Sequence, residues 1–465
     1  MPPDGVAEKD LAGNPRVSRS GIIDIGCYEF PDGAFSVSYA ITPGLWVAPC
    51  RIAFTATTRG ESGAVTYAWD FGDGQTEETD KAEVEHLYSS GTFTVGLTAR
   101  DASGAQATVG EPTTIRVSPR TLHVADGNEA AAAPYDTWAN AAASIEDVAE
   151  WMQDGTEVVI SNGTYLLSQT FSIACAATVR SLTGRPEDVE ISAHGKEMIA
   201  VVVDHPQAVL SSVSVTGAGH PKGENIGGNG VRINGQGGTV TNCIMRGNNS
   251  GLGMGCGVGI YSDNGLVTHC IITNNVCWDQ WGGSGLGAWV QKGRLSNSLV
   301  AFNCHNQDYG AQSTDRSSTK GAVYVAGGTV ENCTIVSNAA GYVAGVWTDG
   351  GTVRNCLIAG NWSKAATPET RDERSVWGGT ASCFTHCVAD RVLINDACRA
   401  GDPAFVDFDG GDFRIRVNSA AYGAGEDPAD MPRGDLDGNP RKVGRRVDAG
   451  CYECQQTYGL MLLVK

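Results

Sequence analysis

Two short phrases recur along the larger, C-terminal part of this chain at nearly constant separation, and they restrict its fold more than any other property. The first runs Val240-Thr-Asn-Cys-Ile, Val267-Thr-His-Cys-Ile, Leu295-Ser-Asn-Ser-Leu, Val330-Glu-Asn-Cys-Thr-Ile and Val353-Arg-Asn-Cys-Leu-Ile. Its fourth position forms a column, Cys243, Cys270, Ser298, Cys333 and Cys356, preceded by Val213 and followed by Cys387, at steps of 30, 27, 28, 35, 23 and 31 residues. Periods of this size belong to repeat architectures. The second phrase precedes the first each time: Gly230-Val-Arg-Ile, Gly257-Val-Gly-Ile, Gly285-Leu-Gly-Ala, Ala322-Val-Tyr-Val and Gly345-Val-Trp-Thr. From its apolar second residue to the column is 12, 12, 12, 10 and 10 residues, so the strand-to-strand distance is held while length varies elsewhere.

Two phrases locked together in every repeat predict stacked coils, each contributing strands to shared parallel sheets. From about Thr121 onward the expected fold is all-β, a right-handed parallel β-helix of three-strand coils. Composition agrees: 61 glycines against 18% charged residues suit turn-rich β structure rather than helical bundles. A formal charge of −19 would repel a phosphate backbone, which excludes nucleic acid as a partner. The terminal apolar run Gly459 to Val464 is too short to span a bilayer.

Residues 34–118 read differently. Alternating runs such as Arg51-Ile-Ala-Phe-Thr-Ala56 and Thr92-Phe-Thr-Val-Gly-Leu-Thr98, separated by Gly, Ser and Asp turns, predict a small β-sandwich. Within it lie Trp69-Asp-Phe-Gly-Asp-Gly74 and His86-Leu-Tyr88. These resemble the PKD domain, an immunoglobulin-like module, and that resemblance implies an extracellular spacer or weak glycan-binding unit. Trp69 and Phe71 are expected in core and turn packing.

The chain opens with a near copy of its close: Asp10-Leu-Ala-Gly-Asn-Pro-Arg16 and Asp24-Ile-Gly-Cys-Tyr-Glu29 match Asp435-Leu-Asp-Gly-Asn-Pro-Arg441 and Asp448-Ala-Gly-Cys-Tyr-Glu453. Four segments follow: residues 1–33, the closing remnant of a preceding β-helix unit in a longer tandem protein; 34–118, the PKD-like sandwich; 119–454, the β-helix; and 455–465, a tail. An amphipathic stretch, Ala143 to Met152, predicts a capping helix over the first coil, whose strand edges and apolar end would otherwise be exposed.

The Cys243, Cys270, Ser298, Cys333, Cys356 and Cys387 column is expected to be a buried ladder of free thiols. In-register side chains on stacked parallel strands point the same way, which disfavours disulfides. No metal site is expected: Cys451-Tyr-Glu-Cys454 lacks a second ligand pair, and its twin carries Phe30 where Cys454 stands. No cofactor is expected either. Calcium is left open without a motif, since the twin of Asp435-Leu-Asp-Gly-Asn439 carries Ala12 in place of Asp437.

Chemistry is expected on the outward positions of the second phrase, because strand residues alternate between faces. These positions are Arg232 and Asn234, Gly259 and Tyr261, Gly287 and Trp289, Tyr324, then Trp347 and Asp349. Arg232, Tyr261, Trp289, Tyr324 and Trp347 are the candidate glycan-binding residues, aromatic rings suiting the apolar C–H faces of sugars. Long insertions just before this strand, at 220–224, 278–281, 305–320 and 369–374, would wall it. They contain the residue types that a lyase base or an inverting hydrolase requires: His305, Asp279, Asp308, Asp315, Arg316 and Lys320. No catalytic motif singles them out.

The closing segment, Gly401-Asp-Pro-Ala-Phe405, Gly411-Asp-Phe-Arg414 and Asp435 to Glu453, resembles the choice-of-anchor Q domain of exported bacterial β-helix proteins, and the opening cap is similar to pectate-lyase-like β-helices. This resemblance, over residues 121–454, implies secretion or surface display but no particular reaction. The expectation is an exported bacterial protein displaying a β-helix toward polysaccharide, with a polysaccharide lyase or glycoside hydrolase in the same groove, or a purely structural stalk or adhesin, as the alternatives.

Overall fold

The computed structural model describes residues 35–219, 227–250, 255–277, 284–305, 320–341, 343–363, 376–378, 383–390, 394–427, 431–443 and 447–456. The chain divides into two compact units between Arg120 and Thr121.

The first unit is an antiparallel β-sandwich. Strands Ser36–Ile41, Cys50–Arg59 and Glu83–Tyr88 form one sheet; Thr76–Thr79, Val65–Asp70, Gly91–Asp101, Gln106–Thr108 and Thr113–Val117 form the facing one. Their alternating residues meet in a core where Trp69 and Phe71 are 1% exposed. The Trp69 ring lies 5.6 Å from that of Phe54 and parallel to that of Phe71. Both aromatics of the Trp69–Gly74 run are therefore structural. The turn after them needs glycine: Gly72 has φ +76°, and a Cβ there would sit 2.5 Å from the Thr94 carbonyl oxygen. Asp73 accepts from the Gln75 N–H and pairs with His86 at 2.8 Å, and the His86 ring stacks on Phe71 at 3.9 Å.

The second unit is a parallel β-helix. Its long sheets contain ten, ten and eight described strands, and every neighbouring pair in them is parallel. The register is unbroken along each stack: Leu210, Val240, Val267, Leu295, Val330, Val353 and Phe384 follow one another up one sheet. All of them are buried.

Each coil turns its corners with left-handed residues. Immediately before the column lie Ser212, Asn242, His269, Asn297, Asn332, Asn355 and His386, with φ between 48° and 58°. Asn and His tolerate this region better than most residues, which is why the third position of the phrase is so restricted. The thiols are free and buried. They also do more than fill space. Cys243, Cys270, Cys333, Cys356 and Cys387 each donate Sγ–H to the carbonyl two residues back, at 3.1–3.4 Å, closing the corner. Ser298 does the same at 2.7 Å, so serine substitutes without loss of the contact.

A second ladder was not recognised in the sequence. Asn248, Asn275, Asn303, Asn338 and Asn361 stand in line at the next corner, fully buried. Each of the first four amides donates to the Oδ1 of the next at 2.8–3.0 Å. The same oxygens accept the backbone N–H of the preceding rung, and the amides also bond carbonyls of the coil below. Every polar atom in the column is satisfied.

The expected capping helix does not form. Ala143 to Met152 is a run of turns ending in one 3₁₀ turn, Ala149–Trp151. Its hydrogen bonds are mostly of the i→i+3 kind, as in Ala149 N–H to Glu146 O, and the buried Ile145, Val148 and Trp151 repeat every three residues. A period of three keeps one face inward in a 3₁₀ conformation. The Glu146 carboxylate accepts from Ser168 and Gln169, tying the cap to the loop before the next strand.

The closing segment folds back along the flank. Ala421, Ala424, Ala449 and Cys451 pack with Phe405, Phe413 and Ile415 against the outer residues Leu299, Ala301, Val336, Leu357, Ala359 and Val388. The Cys451 N–H donates to Thr334 Oγ1, while His269 and Asn297 both reach the Gly434 carbonyl. Asp435 is occupied by the N–H groups of Asn439 and Glu453. The buried Asp448 accepts from Gly423 and Cys454.

Candidate functional site

The strands carrying the second phrase, Phe171–Ile173, Val201–Val203, Val231–Ile233, Val258–Ile260, Ala288–Val290, Val323–Val325, Val346–Thr348 and Val376–Gly378, form one continuous parallel sheet. In the seven strands from Phe171–Ile173 to Val346–Thr348, first and third residues point into the core and the middle residue faces out. In register, the outward positions run Ser172, Val202, Arg232, Gly259, Trp289, Tyr324, Trp347.

One alignment differs from expectation. Trp289 stands opposite Gly259, not Tyr261, so the core residue of that coil is Ala288 and its distance to Ser298 matches the two coils above. Leu286 turns instead into a separate buried cluster with Cys256 and Cys277. Glycine at every second position makes a two-residue slip invisible in sequence, since it leaves the inward and outward parity unchanged.

The candidate residues divide into two groups. Arg232 and Tyr261 are engaged by the chain segment that crosses their part of the face. Arg232, buried, donates Nε–H to Gly227 O at 2.9 Å. The Tyr261 hydroxyl accepts from the Gly227 N–H at 2.8 Å, and burial pushes its pKa up to about 12. Gly259 makes this crossing possible, because a Cβ there would meet Gly228 Cα at 2.9 Å.

Trp289, Tyr324 and Trp347 form the second group. The Trp289 and Tyr324 rings are tilted against each other at 4.5 Å. Lys320, just ahead of the Tyr324 strand, places Nζ over Tyr324 at 5.4 Å and over Trp347 at 5.2 Å. Asp349, two residues after Trp347, organises the cluster. It accepts the Tyr324 hydroxyl at 2.6 Å and the Trp347 indole N–H at 2.7 Å, and pairs with Lys320 at 3.3 Å. Burial works to raise the Asp349 pKa, but these three donors outweigh it and hold the carboxyl below its ordinary value. The Tyr324 phenol is raised, by burial and then by the hydrogen bond to Asp349. Asp349 thus fixes two rings and an ammonium through its carboxylate. Sequence reasoning placed it on the outward face without assigning it a role; a carboxylate two residues beyond an outward aromatic is the signal that marks it.

Of the candidate catalytic residues, Lys320 joins this cluster. His305 lies in the short strand Cys304–His305, is 9% exposed, and pairs through its backbone with Cys277. Asp279, Asp308, Asp315 and Arg316 lie outside the described residues. Among the described residues, no three His, Cys, Asp or Glu side chains converge as a metal site. None of the described helices is long and apolar enough to cross a membrane.

Residues 44–117 match the PKD domain family. Comparison with curated proteins yields no match. Among solved structures, the chain is similar to one described under promiscuous specificity of carbohydrate-binding modules from the beta-sandwich superfamily, at 26% identity over 22% of this chain, with a TM-score of 0.19. The chain spans 39% of that structure's length. It is also similar to pectate lyase Pel9A, at 13% identity over 72% of this chain and 97% of the other, with a TM-score of 0.45. A Yersinia enterocolitica Family 28 exopolygalacturonase matches at 11% identity over 77% and 88%, with a TM-score of 0.20.

Proposed function

We propose that the β-helix binds polysaccharide on this outward face, as part of an exported, surface-associated protein in which the PKD unit acts as a spacer and the choice-of-anchor Q-like closing segment serves display. The observation that carries the reading is the in-register group Trp289, Tyr324 and Trp347, with Asp349 and Lys320 bound among the rings. Trp289 and Trp347, partly exposed beside the buried Tyr324, supply apolar surface for sugar C–H faces, and the ionic pair beside them supplies an acceptor and a donor for hydroxyls. The PKD match accords with an extracellular setting.

The test is binding to a polysaccharide panel by calorimetry, with reducing ends and unsaturated products monitored in parallel. Trp347→Ala is expected to weaken binding by about 2 kcal/mol, roughly 30-fold, as loss of a central aromatic anchor does. Unchanged affinity in both Trp289→Ala and Trp347→Ala would remove the basis of the proposal. Product formation without stable binding would favour an enzyme instead.

A further inference from the structure

The ligand class of this face follows from how its charges are spent, an argument that rests on the glycan-binding reading above. The described part of the face and its bordering turns carries Arg232, Lys292 and Lys320 against Asp204, Asp263 and Asp349. Arg232 is buried under the crossing segment and donates to the Gly227 carbonyl. Lys292 pairs with Asp263 at 3.1 Å. Lys320 lies over two rings and pairs with Asp349 at 3.3 Å. Asp204 accepts the Gln236 N–H at 3.0 Å. Each of these three cations is thus engaged by a carboxylate or a carbonyl, and these cations and carboxylates are equal in number among the described residues.

A substrate carboxylate brought to Lys320 would also lie beside the Asp349 carboxylate, a like charge held in place by the Tyr324 hydroxyl and the Trp347 indole. The whole chain adds a net charge of −19, which repels any polyanion at distances up to the Debye length. A neutral sugar meets neither cost. Its hydroxyls can share the Asp349 and Lys320 atoms without breaking the pair. We propose that the face takes a neutral polysaccharide in preference to a polyuronate or another acidic chain.

The experiment compares matched pairs that share a backbone and differ in charge: methyl-esterified polygalacturonate with polygalacturonate, hydroxyethylcellulose with carboxymethylcellulose, and arabinoxylan with glucuronoxylan. Affinities for the intact chain are measured at low and high salt. Whichever backbone is bound, its neutral member is expected to bind at least roughly tenfold tighter at low salt, with the gap narrowing as salt screens the repulsion. Asp349→Asn, which removes the charge partner of Lys320 while keeping one oxygen acceptor, is expected to shrink that preference. Equal affinities, or an acidic member bound more tightly with affinity falling as salt rises, would overturn the neutral-ligand inference and leave glycan binding standing. Binding to no member of any pair would defeat both.

Discussion

Three donors converge on the Asp349 carboxylate, and two of them come from the rings that would contact a sugar. Removing the anion therefore disturbs ring orientation without deleting a ring. Asp349→Ala is expected to lower polysaccharide affinity roughly tenfold, in line with loss of a charge-assisted hydrogen bond, and to shift tryptophan emission as Trp347 loses its indole partner. A variant with wild-type affinity would reduce Asp349 to a solvated turn residue. At the opposite flank, burial, then the neighbouring Asp448 charge, raises the Glu453 pKa from its ordinary 4.5 to about 8. Burial raises that of Asp448 too. The folded chain thus keeps a proton that the unfolded chain releases. The sign follows: this stability is complete below pH about 4.5 and is lost as pH rises through about 8. Urea midpoints followed from pH 5 to 9 are expected to fall more steeply in the wild type than in Glu453→Gln. Parallel profiles for the two proteins would contradict the assignment.

At the level of strands and corners, the two ladders make opposite demands on substitution. The thiol column asks only for a small side chain that donates to the carbonyl two residues back, and Ser298 already shows that a hydroxyl serves. Cys270→Ser is expected to cost less than about 1 kcal/mol, and reductant to leave the unfolding midpoint where it is. The asparagine column tolerates far less. Asn303→Ala would strand the Asn275 backbone N–H in a dry interior and take one acceptor from the Asn275 amide and one donor from the Asn338 oxygen, for a loss of about 3 kcal/mol by denaturant titration. A cost below 1 kcal/mol would mean the rung is not needed. The first ladder was legible because cysteine at a fixed step is rare enough to notice. The second was hidden because Asn at a corner reads as ordinary turn chemistry, and only the stacked coils reveal that its side chain points inward.

For the molecule as a whole, the two units have separate cores, one of aromatic residues around Trp69 and one of stacked Val, Ile, Leu and Cys. A fragment of residues 35–120 is expected to unfold in a single cooperative transition by calorimetry, and a featureless trace would show that its core is insufficient alone. The period of the β-helix, the side of each strand that faces inward, and the sandwich with its WDFGDG turn were all set by local pattern, since parity and left-handed corner residues act within a few positions along the chain. The cap departs from the expected helix for the same reason: amphipathic spacing is shared by α and 3₁₀ turns. Register between coils and the commitment of Lys320 to Asp349 were decided by tertiary structure alone. Those contacts join residues from different coils, or from segments whose separation is fixed by the stack, and no spacing along one strand encodes them.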